Sequence, residues 1–261
     1  MLLLISPAKT LDFETPAAHL PHTQPLFVQQ AEPLIKALRK KSWRQIAKLM
    51  DLSQALSELN VARYAAWAPE FTPANSKQSA LAFDGDVYDG LAAKTLSADD
   101  LAWAQDHLCI LSGLYGVLRP LDLMQPYRLE MGTALKVGRP DNLYQYWGKT
   151  IAPYLNTRLQ NHAEPVVVNL ASQEYFKSVN TKLLNAEVVE CVFEDFKNGE
   201  YKVLSFFAKK ARGMMARFAL TQRLESIDQL KRFSDGGYAF AKAASSATRL
   251  VFRRKIDCAI A

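Results

Sequence analysis

Arg119, Asp122, Arg128 and Glu130 stand inside one run, Ser112–Gly132, which also holds three glycines, two prolines and two tyrosines among its leucines. Opposite charges in so apolar a run have two readings. They form a charged elbow lining a cleft, with Arg119 and Arg128 facing an anion and Asp122 available as an acid or base. Alternatively, the arginines pair with Asp122 and Glu130 inside a structural turn. Pro120 ends any helix that begins near Leu114, because it lacks an N–H and clashes with the preceding turn.

Two further polar sets follow apolar runs. Ser6-Pro7-Ala8-Lys9-Thr10 comes after Met1–Ile5, and Ala171-Ser172-Gln173-Glu174 comes after Val166–Leu170. In α/β folds the carboxyl ends of strands are where ligands bind. Lys9 is therefore a candidate anion contact, or an ordinary surface lysine. Ser172 caps a following helix, with Asn169, Glu174 and Lys177 expected near its N-terminus as an anion site or as plain capping chemistry. Asp122, Glu174 and Lys177 are the candidate acid, base or nucleophile.

Lys209, Lys210, Arg212 and Arg217 form the fourth set. At 100° per residue they fall within roughly 160° of helical arc. Phe207, Ala211, Met214, Met215 and Phe218 fall opposite. Gly213 lies within the basic face, where a glycine costs about 1 kcal/mol of helix propensity. Close approach of a phosphate backbone explains it, and so does crowding against a neighbouring element.

The 261 residues carry a net charge of +6, unevenly placed. Residues 1–200 hold 19 Lys+Arg against 22 Asp+Glu, and residues 201–261 hold 13 against 4. A basic excess gathered at one end suits a polyanion partner or a solvated surface. The three cysteines, Cys109, Cys191 and Cys258, are odd in number and far apart, as in a reducing cytoplasm. His19, His22, His107 and His162 show no metal-ligand spacing with them, so no metal and no cofactor is expected. No apolar run reaches the roughly 20 residues of a membrane span.

The elements that must position these groups are those of a mixed α/β (α+β) fold. Met1–Ile5, Cys109–Leu111 and Val166–Leu170 read as buried strands. Ala80–Phe83, Tyr238–Phe240 and Leu250–Phe252 read as further strands, the last two at edges. Asn198-Gly199 joins Ala186–Phe196 to Glu200–Phe207 in a hairpin, so the sheet mixes parallel and antiparallel strands. Asp84-Gly85-Asp86 reads as a turn, Ser97 caps a helix to His107, and Asp141 starts a helix that Pro153 kinks or breaks. His107 at its helix end is placed where positive charge is favourable. Residues 1–261 form a single domain with flanking helices, and residues 26–70 a possible helical lobe. In that lobe Leu34, Ile35 and Leu38 mark one helix, Trp43–Met50 a second, and Leu52, Leu56, Leu59 and Arg63 trace a third. Lys40, Lys41, Arg44 and Lys48 cluster at the first turn. Two short helices with a basic turn resemble a helix–hairpin–helix, although Lys40–Arg44 lacks the hairpin glycines. A plain helical lobe with a solvated basic corner is the alternative.

Several of these blocks together resemble a known family. Ile5-Ser6-Pro7-Ala8-Lys9-Thr10-Leu11, Phe71-Thr72-Pro73-Ala74-Asn75, Ser112–Gly132, Asn169-Leu170-Ala171-Ser172 with Glu174-Tyr175-Phe176, and Ala208-Lys209-Lys210-Ala211-Arg212-Gly213 are similar to blocks of the YaaA family of bacterial peroxide-stress proteins. The resemblance implies a cytoplasmic protein that lowers free intracellular iron under peroxide stress. It also implies DNA binding through a positively charged cleft and a helix–hairpin–helix element. It supplies no catalytic residues.

The expected function is therefore a DNA-binding stress protein, non-enzymatic or weakly enzymatic, acting as a monomer away from membranes. Its partner is duplex or distorted DNA without sequence preference. Lys209, Lys210, Arg212, Arg217, Lys177, Arg119 and Arg128 are the phosphate contacts, with Lys40, Lys41, Arg44 and Lys48 as possible hairpin contacts. Tyr115, Tyr127 and Tyr175 are available to stack on bases. The alternative is an enzyme acting on nucleic acid or nucleotide in the cleft. Direct iron binding ranks below both, for want of a clustered ligand set.

Overall fold

The apolar run at the start becomes the strand Leu2–Ile5, buried on both faces at the centre of the sheet. This computed structural model describes residues 1–17 and 20–255; His19, Cys258 and residues 256–261 lie outside it. The central strand pairs in parallel with Leu108–Ser112 on one side and with Val166–Asn169 on the other. All three are continuous apolar or β-branched runs, as strands covered on both faces must be. Val166–Asn169 pairs in parallel with Glu187–Lys197, which pairs in parallel with Arg249–Lys255. Gly116–Leu118 and Ala239–Phe240 close the two ends antiparallel. Glu200–Lys202 folds back on Glu187–Lys197 through Asn198 and Gly199, both at positive φ (56° and 86°) as a tight hairpin requires. The described residues thus make one mixed α/β domain, and no helix among them is long and apolar enough to cross a membrane.

Two strand expectations change, and one helix expectation is resolved. Arg249–Lys255 is an interior strand, because Ala239–Phe240 covers its outer side. Two of its arginines are paired: Arg253 Nε donates to Glu194 at 2.9 Å and Arg254 Nε to the fully buried Asp195 at 2.6 Å. Ser79–Ala82 is a helical turn, leaving only Phe83–Asp84 as strand, paired with Thr10–Leu11. The segment after Asp141 splits into the helices Leu143–Trp147 and Ile151–Leu159. The break precedes Pro153, which sits in a first turn where its missing N–H costs little.

The helical lobe contains Val28–Arg39, Trp43–Met50 and Gln54–Ala66. Lys40–Ser42 joins the first two as a short basic turn, and Asp51–Ser53 joins the last two as an equally short one, with Asp51 left-handed (φ 51°) at the end of one helix and Ser53 Oγ capping the next. Asp51 fills the position where glycine is the usual choice. The third helix also buries an unexpected face. Ser57, Asn60 and Tyr64 point inward while Leu56 and Leu59 stay exposed. Ser57 Oγ and Asn60 Nδ2 donate to carbonyls one turn back, so their burial leaves no polar group unmet.

Helix Ser205–Thr221 crosses the short helix Asp86–Leu91 through paired glycines. A Cβ on Gly213 would lie 1.8 Å from Val87 O, and one on Gly90 would lie 2.1 Å from Lys210 O. Helix crowding therefore accounts for Gly213, which is buried against that neighbour.

Helix Ala98–His107 ends with His107 stacked on Trp103, ring centroids 3.5 Å apart, and 4.7 Å from His162. Burial outweighs the helix-end field and holds His107 below its usual range. His162, on which the Met1 amine lies 3.1 Å from Nδ1, is pushed down to about 4, first by burial and then by that amine and His107. A folded-state pKa below the unfolded value of about 6.5 stabilises only the neutral ring. Thermal stability is therefore expected to hold above pH 6.5 and to fall as pH drops toward 4, and His162→Gln should flatten that fall in a melting-temperature series.

Candidate functional site

The carboxyl ends of Leu2–Ile5 and Val166–Asn169 open into a cleft of about 510 Å³. Its floor is the loop Ser6–Thr10 beside Leu170 and Ser172. Ser172 N donates to Ser6 Oγ at 2.9 Å, and Tyr88 OH donates to Ser6 O at 3.1 Å, so the two strand ends and the neighbouring helix are tied together. Ser172 caps the short helix Gln173–Phe176 as expected, and Asn169 Oδ1 accepts from Ala171 N.

Around this floor stand seven charged side chains. Lys9, Lys209 and Arg212 supply the cations, and Asp84, Asp86, Glu130 and Glu174 the carboxylates. Most are engaged. Lys9 Nζ is 3.0 Å from Glu130, whose other oxygen accepts from Arg128 at 3.0 Å. Glu174 Oε1 accepts from Gly132 N at 2.9 Å. Lys209 Nζ is 3.8 Å from Asp86. Arg212 has neither a hydrogen bond nor an ion pair among the described residues. Burial lowers its pKa, offset in part by Glu190 and Cys191.

The elbow Arg119–Asp122 is not part of this cleft. Asp122 is 1% exposed. Its carboxylate accepts from Arg119 N (2.8 Å), Arg119 Nη2 (2.9 Å) and Thr23 Oγ1 (2.6 Å). With every lone pair committed and no open side, it is a turn lock, not an acid or base. Arg128 Nη2 pairs with Glu130 while its Nε is buried without a partner, and its carbonyl accepts from Tyr64 OH, which ties the helical lobe to the cleft wall. Lys177 lies at the far end of its helix, 4.9 Å above the Tyr144 ring. Of the trio Asp122, Glu174 and Lys177, only Glu174 lines the cleft.

The four-charge face of the 205–221 helix also divides. Lys209 and Lys210 are exposed, and Arg212 turns into the cleft. Arg217 points inward and donates to Leu91 O (3.1 Å) and Ala92 O (3.0 Å), capping the neighbouring helix. Sequence periodicity misplaced Arg217 because it could not foresee a second helix with open carbonyls alongside. Tyr115 and Tyr127 are buried, so base stacking on them is closed; Tyr175 is buried yet lines the cleft. Asp84 and Asp86 were missed as cleft residues, and Glu130 is the one acid of the Ser112–Gly132 run that does line it. Asp84 and Asp86 directly follow an apolar segment, and that is the one signal that favoured them. The basic cluster of the lobe does stay outside: Lys40, Arg44 and Lys48 are exposed, Lys41 is half-buried, and none has a carboxylate within 4 Å among the described residues.

Strand-end cleft and central parallel strands define a mixed α/β protein with a charged ligand-sized depression. The chain belongs to the family described as peroxide stress protein YaaA, whose model matches residues 1–244. It is 64% identical over 255 residues to a UPF0246 protein of Albidiferax ferrireducens, with 98% of each chain covered. It is 62% identical over 254 residues to one of Polaromonas naphthalenivorans, covering 97% of this chain and 98% of that one. A UPF0246 protein of Bordetella pertussis is 61% identical over 255 residues, with 98% and 99% covered.

Proposed function

We propose that this protein serves the peroxide-stress response by binding DNA, as a cytoplasmic monomer, through exposed cations that hold the phosphate backbone without reading sequence. The carrying observation is the cluster Lys40, Lys41, Arg44 and Lys48, whose charges no carboxylate neutralises among the described residues. Uncompensated Lys and Arg release counterions on meeting phosphate, and that release drives sequence-independent binding. Lys209 and Lys210 add a second exposed pair beside the cleft. The hairpin Asp51-Leu52-Ser53 positions the second helix of the lobe, and with it Arg44 and Lys48. Covering the duplex limits damage by iron and peroxide. Among the described residues no three His, Cys, Asp or Glu side chains gather in a group able to hold a metal.

A salt series separates this from a merely solvated surface. Binding of the wild type to a fluorescent duplex is expected to weaken steeply with salt. Lys40/Lys41/Arg44/Lys48→Ala should flatten the slope of log K against log salt by about 0.9 for each phosphate that is no longer neutralised. Lys209/Lys210→Ala should flatten it less. Binding unchanged in both folded variants would contradict the proposal.

A further inference from the structure

Arg212 breaks the pattern of every other arginine that is not exposed. Arg63, Arg119, Arg128, Arg158, Arg217, Arg223, Arg253 and Arg254 each donate to a protein acceptor. Arg212 donates to none among the described residues, although it projects from a well-buried helix into the cleft. Its guanidinium is half-buried but its nitrogens are open to the cleft, so five N–H groups that no protein acceptor takes can turn to a ligand that enters. Its planar fork matches a carboxylate or phosphate.

The surroundings narrow the choice. At about 510 Å³ the cleft lies within the roughly 300–1,000 Å³ of small-molecule sites and exceeds what a bare anion fills. Lys9 and Lys209, which would exchange Glu130 and Asp86 for a ligand, flank it, and Ser6 and Ser172, whose hydroxyls meet at 3.3 Å, lie on its floor. Together with Arg212 these donors suit the three terminal oxygens of a phosphate monoester better than the two of a carboxylate. Pro7, Val87, Leu170 and Tyr175 give an apolar strip for an organic group. The four carboxylates accept from its hydroxyl or amino groups, and they repel every added negative charge, which disfavours a polyphosphate.

We propose that this cleft binds a small phosphate monoester, with Arg212 as the anion clamp. The site is separate from the duplex surface on the lobe and does not depend on it. A nucleoside monophosphate and a 5′-phosphorylated DNA end present the same chemistry.

Isothermal titration calorimetry without divalent cations tests it, with AMP, adenosine, ATP, and a short single strand with and without a 5′-phosphate. AMP should bind, with adenosine and ATP weaker. Arg212→Ala should weaken AMP roughly tenfold or more, the loss of hydrogen bonds to a charged group. Lys210→Ala, outside the cleft, should not. Because Arg212 has no protein partner among the described residues, Arg212→Ala should melt where the wild type does. Should it fail to fold, Arg212→Lys keeps the charge, removes the fork, and should still weaken AMP several-fold. Arg212-dependent binding of AMP alone identifies a free nucleotide. Arg212-dependent binding that needs the 5′-phosphate of the strand identifies a DNA end. No binding of either up to about 10 mM, weaker than the millimolar range of a few hydrogen bonds, overturns the proposal. So does affinity that is unchanged by both Arg212 variants.

Discussion

Gly213→Ala is expected to destabilise the protein by about 3 kcal/mol or more, which is large for the addition of one methyl group. Alanine would gain about 1 kcal/mol of helix propensity. That gain is overwhelmed because the new Cβ would sit 1.8 Å from Val87 O and 2.8 Å from Leu91 N. Both obstacles are backbone atoms of a packed helix, so neither can rotate aside. The helices must part, and interiors at crystal-like density resist that. Gly90→Ala meets the same wall from the other side, 2.1 Å from Lys210 O. Urea denaturation reads the loss as a lower midpoint. A Gly213→Ala midpoint equal to or above the wild type would show that the crossing is looser than described. Because the same helix carries Lys209 and Arg212, parting it would also widen the cleft.

Asp122→Ala is expected to cost about 3–5 kcal/mol, the usual range for removing one member of a buried ion pair. The loss is that large because Arg119, Thr23 and a backbone N–H all lean on this one carboxylate, 1% exposed. Removing it leaves a half-buried guanidinium uncompensated. Arg119→Ala should cost comparably, and the double variant should cost less than the sum of the two. Chemical denaturation of the four proteins gives the cycle. DNA binding measured below the melting transition should be the same for the wild type and Asp122→Ala. A variant that keeps full stability but loses binding or turnover would restore Asp122 to a functional role.

These two sites show what the chain makes legible. The strands Leu2–Ile5, Leu108–Ser112 and Val166–Asn169 could be read because full burial leaves an uninterrupted apolar signature. Ser97, Ser172 and Asn198-Gly199 could be read because caps and tight turns are local chemistry. The charged groups were harder, since a charge's partner is set by the fold. Arg253 and Arg254 meet Glu194 and Asp195 only because two distant strands pair in register. Arg217 finds the carbonyls of Leu91 and Ala92, more than a hundred residues away in sequence. The second turn of the lobe went unread because Asp51 adopts the left-handed conformation that glycine usually marks. Ser6, Lys9, Ser172 and Glu174 were placed at strand ends by topology alone, and they do meet in the cleft. Arg212 reached it from a helix whose orientation no local pattern fixes.

The central claim is that cations left free by the fold bind DNA and shield it. Nicking of supercoiled plasmid by ferrous iron and peroxide tests this most directly, with wild type and Lys40/Lys41/Arg44/Lys48→Ala at equal concentration and low salt. Protection by the wild type, reduced in the variant and abolished for both at high salt, is the predicted result. Equal protection by the two proteins, or none from a wild type that saturates the plasmid, would contradict the account.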